Sequence, residues 1–107
     1  MRKRLPQHII SHAPQAPYFS STHYKNGGYL FVDKRIGQSI DFYNVQFYNQ
    51  ESTGYDSYRG LFIESDGWAL GTSVGEILKK GVHPDKIVVG KPVGKGDAYN
   101  SGCVDLR

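Results

Sequence analysis

From residue 40 the chain runs Ile40-Asp41-Phe42-Tyr43-Asn44-Val45 and then Gln46-Phe47-Tyr48-Asn49. Read as an extended strand over residues 40–48, this places Ile40, Phe42, Gln46 and Tyr48 on one face and Tyr43, Val45 and Phe47 on the other. One face ends in an amide and a phenol, and the other is apolar. Such a pattern suits a parallel α/β barrel, in which outward side chains pack on helices and inward ones near the C-terminal strand ends floor the active site.

The flanking segments fit the same architecture. His8-Ile9-Ile10 is a short apolar strand, and Ala13-Pro14-Gln15-Ala16-Pro17 must leave it, because neither proline can donate to a central ladder. Gln15 then projects from a constrained loop. Residues 20–28 are polar and end in glycine, hence a loop. Tyr29, Val32 and Ile36 recur at helical spacing, which predicts a short amphipathic helix over 29–35 that ends near Gly37. Residues 50–71 form a long region punctuated by glycines, in which Leu61-Phe62-Ile63 fits either a helical turn or a short strand.

Ser73-Val74-Gly75-Glu76 is a capping-box pattern and opens a second helix, with Val74, Ile77 and Leu78 as its apolar stripe. Lys79 and Lys80 suit its C-terminal dipole, and Gly81 followed by Pro84 stops it. A third strand spans residues 86–90, and a glycine-rich tail loop follows. Strand, helix, strand, helix, strand implies a parallel sheet in an α/β fold.

Composition narrows the picture. A complete barrel needs roughly 250 residues, so the 107 residues here supply about three strand–helix units, one incomplete domain over 1–107. Net charge is +3, and the basic residues are dispersed apart from Met1-Arg2-Lys3-Arg4. That tetrapeptide suits a solvated terminus better than a nucleic-acid site. No apolar stretch follows it as in a signal peptide, and no run reaches membrane-spanning length, so no membrane contact is expected. With Cys103 as the single cysteine, an intrachain disulfide is impossible and the compartment stays open.

Gln-x-Tyr-Asn at the end of such a strand resembles the sixth barrel strand of glycoside hydrolase family 18, the chitinases and their relatives. Residues 9–19, Ile-Ile-Ser-His-Ala-Pro-Gln-Ala-Pro-Tyr-Phe, resemble the family's fifth strand and following loop. Lys86-Ile87-Val88-Val89-Gly90-Lys91-Pro92 resembles its seventh strand. The wording is nearest the fungal and plant-type branch, and the resemblance extends from about residue 8 to 105. It implies a partial (β/α)8 barrel and a chitinase-type hydrolase of β-1,4-linked N-acetylglucosamine polymers, with chitin or its oligosaccharides as partner and no cofactor.

In that family the substrate's own 2-acetamido oxygen attacks the anomeric carbon, a substrate-assisted retaining route. The resemblance assigns Tyr48 to donate its hydroxyl to the acetamido carbonyl, with Gln46 beside it, so that preorganised hydrogen bonds stabilise the developing oxazolinium. Gln15 is a candidate for a substrate contact or else satisfies local backbone in its proline-rich loop, and Asn49 is a candidate for a substrate contact or for shaping the loop that leaves the strand. Trp68, Tyr55, Tyr58 and Tyr99 offer faces for stacking on pyranose rings, or else pack the long loop onto the barrel. Trp68 is not at the position of the family's eighth-strand tryptophan. The family's Asp-x-x-Asp-x-Asp-x-Glu signature, which supplies the acid, is absent from this sequence; Asp33, Glu51, Asp56, Glu64, Asp66, Glu76, Asp85 and Asp97 are scattered.

Other chemistries find no support. His8, His12, His23 and His83 lack ligand spacing, so no metal site is expected. The glycines and lysines of residues 90–96 do not match a phosphate loop, and Cys103 has no identifiable base. Three readings remain open at this point: a chitinase piece that is inactive alone, a non-catalytic carbohydrate-binding or structural remnant, and a weak basic nucleic-acid binder. A three-strand arc would also leave strand edges exposed to self-association.

Overall fold

The computed structural model describes residues 8–103. The tetrapeptide Met1 to Arg4 lies outside the described residues. Three parallel strands form one sheet in the order β1 (Ser11–His12), β2 (Phe42–Gln46), β3 (Ile87–Gly90), each crossover carrying a helix, α1 (Tyr29–Ile36) and α2 (Val74–Lys79). This is the expected α/β arc, three strands joined by two crossover helices, part of a barrel wall.

Register makes the two faces of β2 unequal. Ser11 pairs with Phe42 and His12 with Tyr43, while Tyr43, Asn44, Val45 and Gln46 pair with Ile87, Val88, Val89 and Gly90. Tyr43, Val45 and Phe47 are fully buried and belong to the main core with Phe19, Tyr55, Leu61 and Ile77. Against them pack Tyr29, Leu30 and Val32 of α1 and Val74 of α2. The opposite face, with Ser11, Asn44 and Val88 exposed, is the side that a closed barrel turns inward.

Four expectations are corrected. The first strand lies at Ser11–His12 rather than at residues 8–10, and Ile9 is 75% exposed. The approach to the sheet starts at Ile10, whose carbonyl accepts from Asp41 N at 2.8 Å while its own N–H donates to Asp41 Oδ2 at 2.8 Å. Strand β2 is shorter than residues 40–48, and Ile40 does not share the open face of Phe42. It is buried in the core, because a 3₁₀ turn over Gly37–Ser39 delivers it before the extended stretch begins. Ile36 is exposed, and Tyr29, Leu30 and Val32 form the apolar face of α1 instead.

The capping box of α2 is formed. Ser73 Oγ accepts from Glu76 N, and Glu76 Oε1 accepts from Ser73 N at 3.1 Å. Gly81, at φ +109°, turns the chain off that helix in a backbone conformation that L side chains rarely adopt. Residues 61–63 belong to a π-helical turn, Arg59–Ile63, so the helical alternative holds there.

Residues 50–71 are organised by hydroxyls. Thr53 Oγ1 donates to Asp66 O (2.7 Å) and accepts from Ala69 N (2.9 Å). Ser65 Oγ links Ala69 O, Thr72 N and Glu76 Oε1. Burial would push the Glu76 carboxyl up, but the donors of Ser65 and Ser73 outweigh it and hold the group below its ordinary range.

Candidate functional site

The three strands are parallel, so their C-terminal ends emerge side by side. The β1–β2 ladder continues past β1 as a bridge between Gln15 and Gln46, and Gly90 pairs with Gln46 on the other flank. Gln15, Gln46, Tyr48 and Lys91 are thereby gathered at one edge of the sheet. This is where a barrel carries its chemistry.

Hydrogen bonding orients the amides. Gln46 Nε2 donates to Ala13 O at 2.6 Å, and a carbonyl can only accept, which assigns the other atom as Oε1, an acceptor with no donor among the described residues. The same logic fixes Gln15. Gln50 Nε2 donates to Tyr48 O (3.3 Å) and to Gln15 Oε1 (3.1 Å), leaving the Gln15 amide donor available. Tyr48 is half-buried, and its hydroxyl has no hydrogen bond among the described residues. The edge therefore presents an acceptor, an amide donor and a phenol.

Tyr48 stands on a fixed backbone. Gly102, at φ +99°, lies so close that a Cβ there would collide with Cα and Cβ of Tyr48. Lys91 Nζ donates to Phe47 O at 2.7 Å and to Tyr55 O at 2.8 Å. Burial draws the Lys91 amine down to about 8, against the opposing pull of Asp56 and Cys103.

Asn49 is placed as a loop former. It takes a positive φ of 59°, its Oδ1 accepts from the backbone N–H groups of Tyr99 and Asn100, and its own N donates to Ser101 O at 2.9 Å. With Ser101 Oγ accepting from Gln50 N (2.8 Å) and Asn100 Oδ1 from Glu51 N (3.0 Å), the tail loop is laced onto the strand exit.

Trp68 adjoins this cluster through bonds that use its polar atoms. Its Nε1 donates to Gln50 O at 2.9 Å, its N to Ser52 Oγ at 3.1 Å, and its ring meets His23 edge-on at 5.0 Å. These bonds tie the long loop to itself and to His23, and the residue remains 38% exposed. Tyr55 offers no stacking face, being buried with its hydroxyl on Thr72 at 2.5 Å. Tyr58 tilts against Phe62, and Tyr99 is exposed on the tail loop.

Four of the carboxylates have partners elsewhere. Asp33 accepts from Tyr43, Asp66 from Gly54 N, Asp97 from Gly94 N, and Glu64 pairs with Arg59. None of these bonds involves Tyr48 or Gln46. Among the described residues no three His, Cys, Asp or Glu side chains are grouped to hold a metal ion, and no helix is long and apolar enough to cross a membrane.

Two functional candidates escaped the sequence reading. Gln50, buried and bonded to both Gln15 and the Tyr48 carbonyl, gave no periodic signal. For Lys91 the sequence shows only that it directly precedes Pro92, which has no N–H to offer a ladder; that it stands opposite Phe47 emerges from the register.

No protein-family model matches the sequence, and no curated protein matches it. A solved GH18 chitinase from Pseudoalteromonas aurantia does match, with a TM-score of 0.65 and 35% sequence identity, over 95% of this chain and 34% of that one. The chain thus spans about a third of the length of the chitinase that it resembles. Its three parallel strands and their helices have the fold of a portion of a GH18 chitinase barrel.

Proposed function

We propose that the chain is a portion of a GH18 chitinase-type hydrolase and that it binds β-1,4-linked N-acetylglucosamine through the 2-acetamido group. One observation carries this reading: Tyr48 and Gln46 stand at the C-terminal end of β2 with the phenol hydroxyl and the Gln46 carbonyl oxygen both available. An acetamide has one carbonyl acceptor and one N–H donor. Tyr48 Oη suits the first and Gln46 Oε1 the second. Gln15 supplies a further amide donor nearby, and Asn49 and Trp68 act on the sugar indirectly, through the loops they hold. Within the family, the wording of the three strand motifs favours the fungal and plant-type branch.

In the substrate-assisted route, the acetamido oxygen attacks the anomeric carbon as the leaving oxygen takes a proton. Positive charge then spreads over the oxazolinium ring. A phenol aimed at the acetamido oxygen holds it in the attacking orientation before bond breaking. An acceptor at the N–H stabilises the charge that develops there. The proton donor has no counterpart in this sequence, so the reaction requires an acid from elsewhere. The missing signature equally favours a non-catalytic carbohydrate-binding role, which uses the same acetamide contacts.

The test is selective binding. Titrating the chain with N-acetylglucosamine tetramer should shift the NMR amide signals of residues 15 and 46–48, whereas cellotetraose, which lacks the acetamide, should leave them in place. Equal response to both sugars, or to neither, would refute the reading.

A further inference from the structure

We propose that Lys91 is a positioning residue for Tyr48: its side chain replaces a backbone donor missing from the sheet and so fixes the peptide that carries the phenol. The proposal rests on the reading of Tyr48 as an acetamide donor. Its starting point is register. Gln46 pairs with Gly90, and Phe47 N donates to Gly90 O at 3.1 Å, which sets Phe47 opposite Lys91. In a parallel ladder the Phe47 carbonyl would then accept from the N–H of the residue after Lys91. That residue is Pro92, which has no N–H.

The Phe47 carbonyl is instead met by Lys91 Nζ at 2.7 Å, and the same amine bonds Tyr55 O at 2.8 Å. A lysine just past a strand end normally extends into water, keeping its rotamer freedom and its hydration. Folding this one back against two carbonyls forgoes both. The Phe47 carbonyl belongs to the peptide that enters Tyr48, and Gln50 Nε2 holds the carbonyl that leaves it. With Gly102 against Cα and Cβ, Tyr48 is held on both peptides and at its stem. The second carbonyl ties the long loop at Tyr55 to the same point. A residue bonded to the backbone that carries Tyr48 thereby governs how narrowly the phenol is aimed.

The experiment uses ring-labelled tyrosine in the chain, with the Tyr48 signals assigned by Tyr48→Phe, and compares Lys91→Met and Lys91→Arg. Lys91→Met should move or broaden the Tyr48 ring signals while those of core Tyr43 stay in place, and should weaken N-acetylglucosamine tetramer binding by about tenfold, the scale of one lost hydrogen bond to a charged group. Lys91→Arg keeps donors and should restore both. Should Lys91→Met displace the Tyr43 signals as well, Lys91→Gln serves as the milder variant with the same expectation. Tyr48 signals unmoved in a folded Met or Gln variant overturn the proposal. Tyr48 signals that move while the unsubstituted chain fails to bind the tetramer leave the positioning role standing and overturn the acetamide reading.

Discussion

The hydroxyl of Tyr43 donates to Oδ1 of Asp33 at 2.7 Å, tying the middle strand to α1 through a ring fully buried in the core. The ring also meets Phe19 and Tyr29, each at 5.8 Å, and burial together with Asp33 pushes the phenol's pKa up, so it stays a donor throughout the useful pH range. Tyr43→Phe keeps the ring and leaves the carboxylate without that donor. Urea unfolding should show a loss of about 1–3 kcal/mol, with sugar binding unchanged.

Glu76 links the long loop to α2 and fixes the acid limb of stability. Its folded pKa lies below the ordinary 4.5, so its contribution is present above that value and is lost as pH falls through the folded pKa. Glu76→Gln should be less stable near neutral pH, and its melting temperature should fall less steeply between about pH 5 and 3. Parallel acid limbs for the two proteins would count against the network drawn around Ser65 and Ser73.

The chain alone should not hydrolyse chitin. Protonation of the leaving oxygen requires a positioned acid, and the carboxylates of Asp33, Glu64, Asp66 and Asp97 bond to groups other than Tyr48 and Gln46. Turnover of a fluorogenic N-acetylglucosamine oligomer by pure material, above the blank, would contradict this.

The outer edges of β1 and β3 have no strand partner among the described residues, and Val88 is 44% exposed on the open face. Unpaired N–H and C=O groups beside apolar surface favour pairing with another copy. Sedimentation should show association that grows with concentration and is reduced by Val88→Lys. A monomer at every concentration would refute it.

The middle strand, both helices and the capping box were legible because each is written locally, as alternation, periodicity or a four-residue cap. The first strand was misplaced since Ile9 and Ile10 look like a strand, yet they precede the point where the ladder with β2 starts. Ile40 was put on the wrong face because a 3₁₀ turn resets the alternation before Phe42. The hydroxyl network of Thr53, Ser65 and Thr72 has no period, so the long loop was opaque. Tyr48 and Gln46 could be named from the strand end, whereas Gln50 and Lys91 act through contacts that only the register reveals.

The most direct test of the acetamide-binding account is the affinity of Tyr48→Phe for N-acetylglucosamine tetramer, measured beside Val45→Ala from the buried face. Tyr48→Phe removes one donor and keeps the ring, so binding should weaken by about tenfold with the melting temperature unchanged. Val45→Ala should lower stability by roughly 1–3 kcal/mol and leave affinity near that of the unsubstituted chain. Wild-type affinity in a folded Tyr48→Phe would contradict the account.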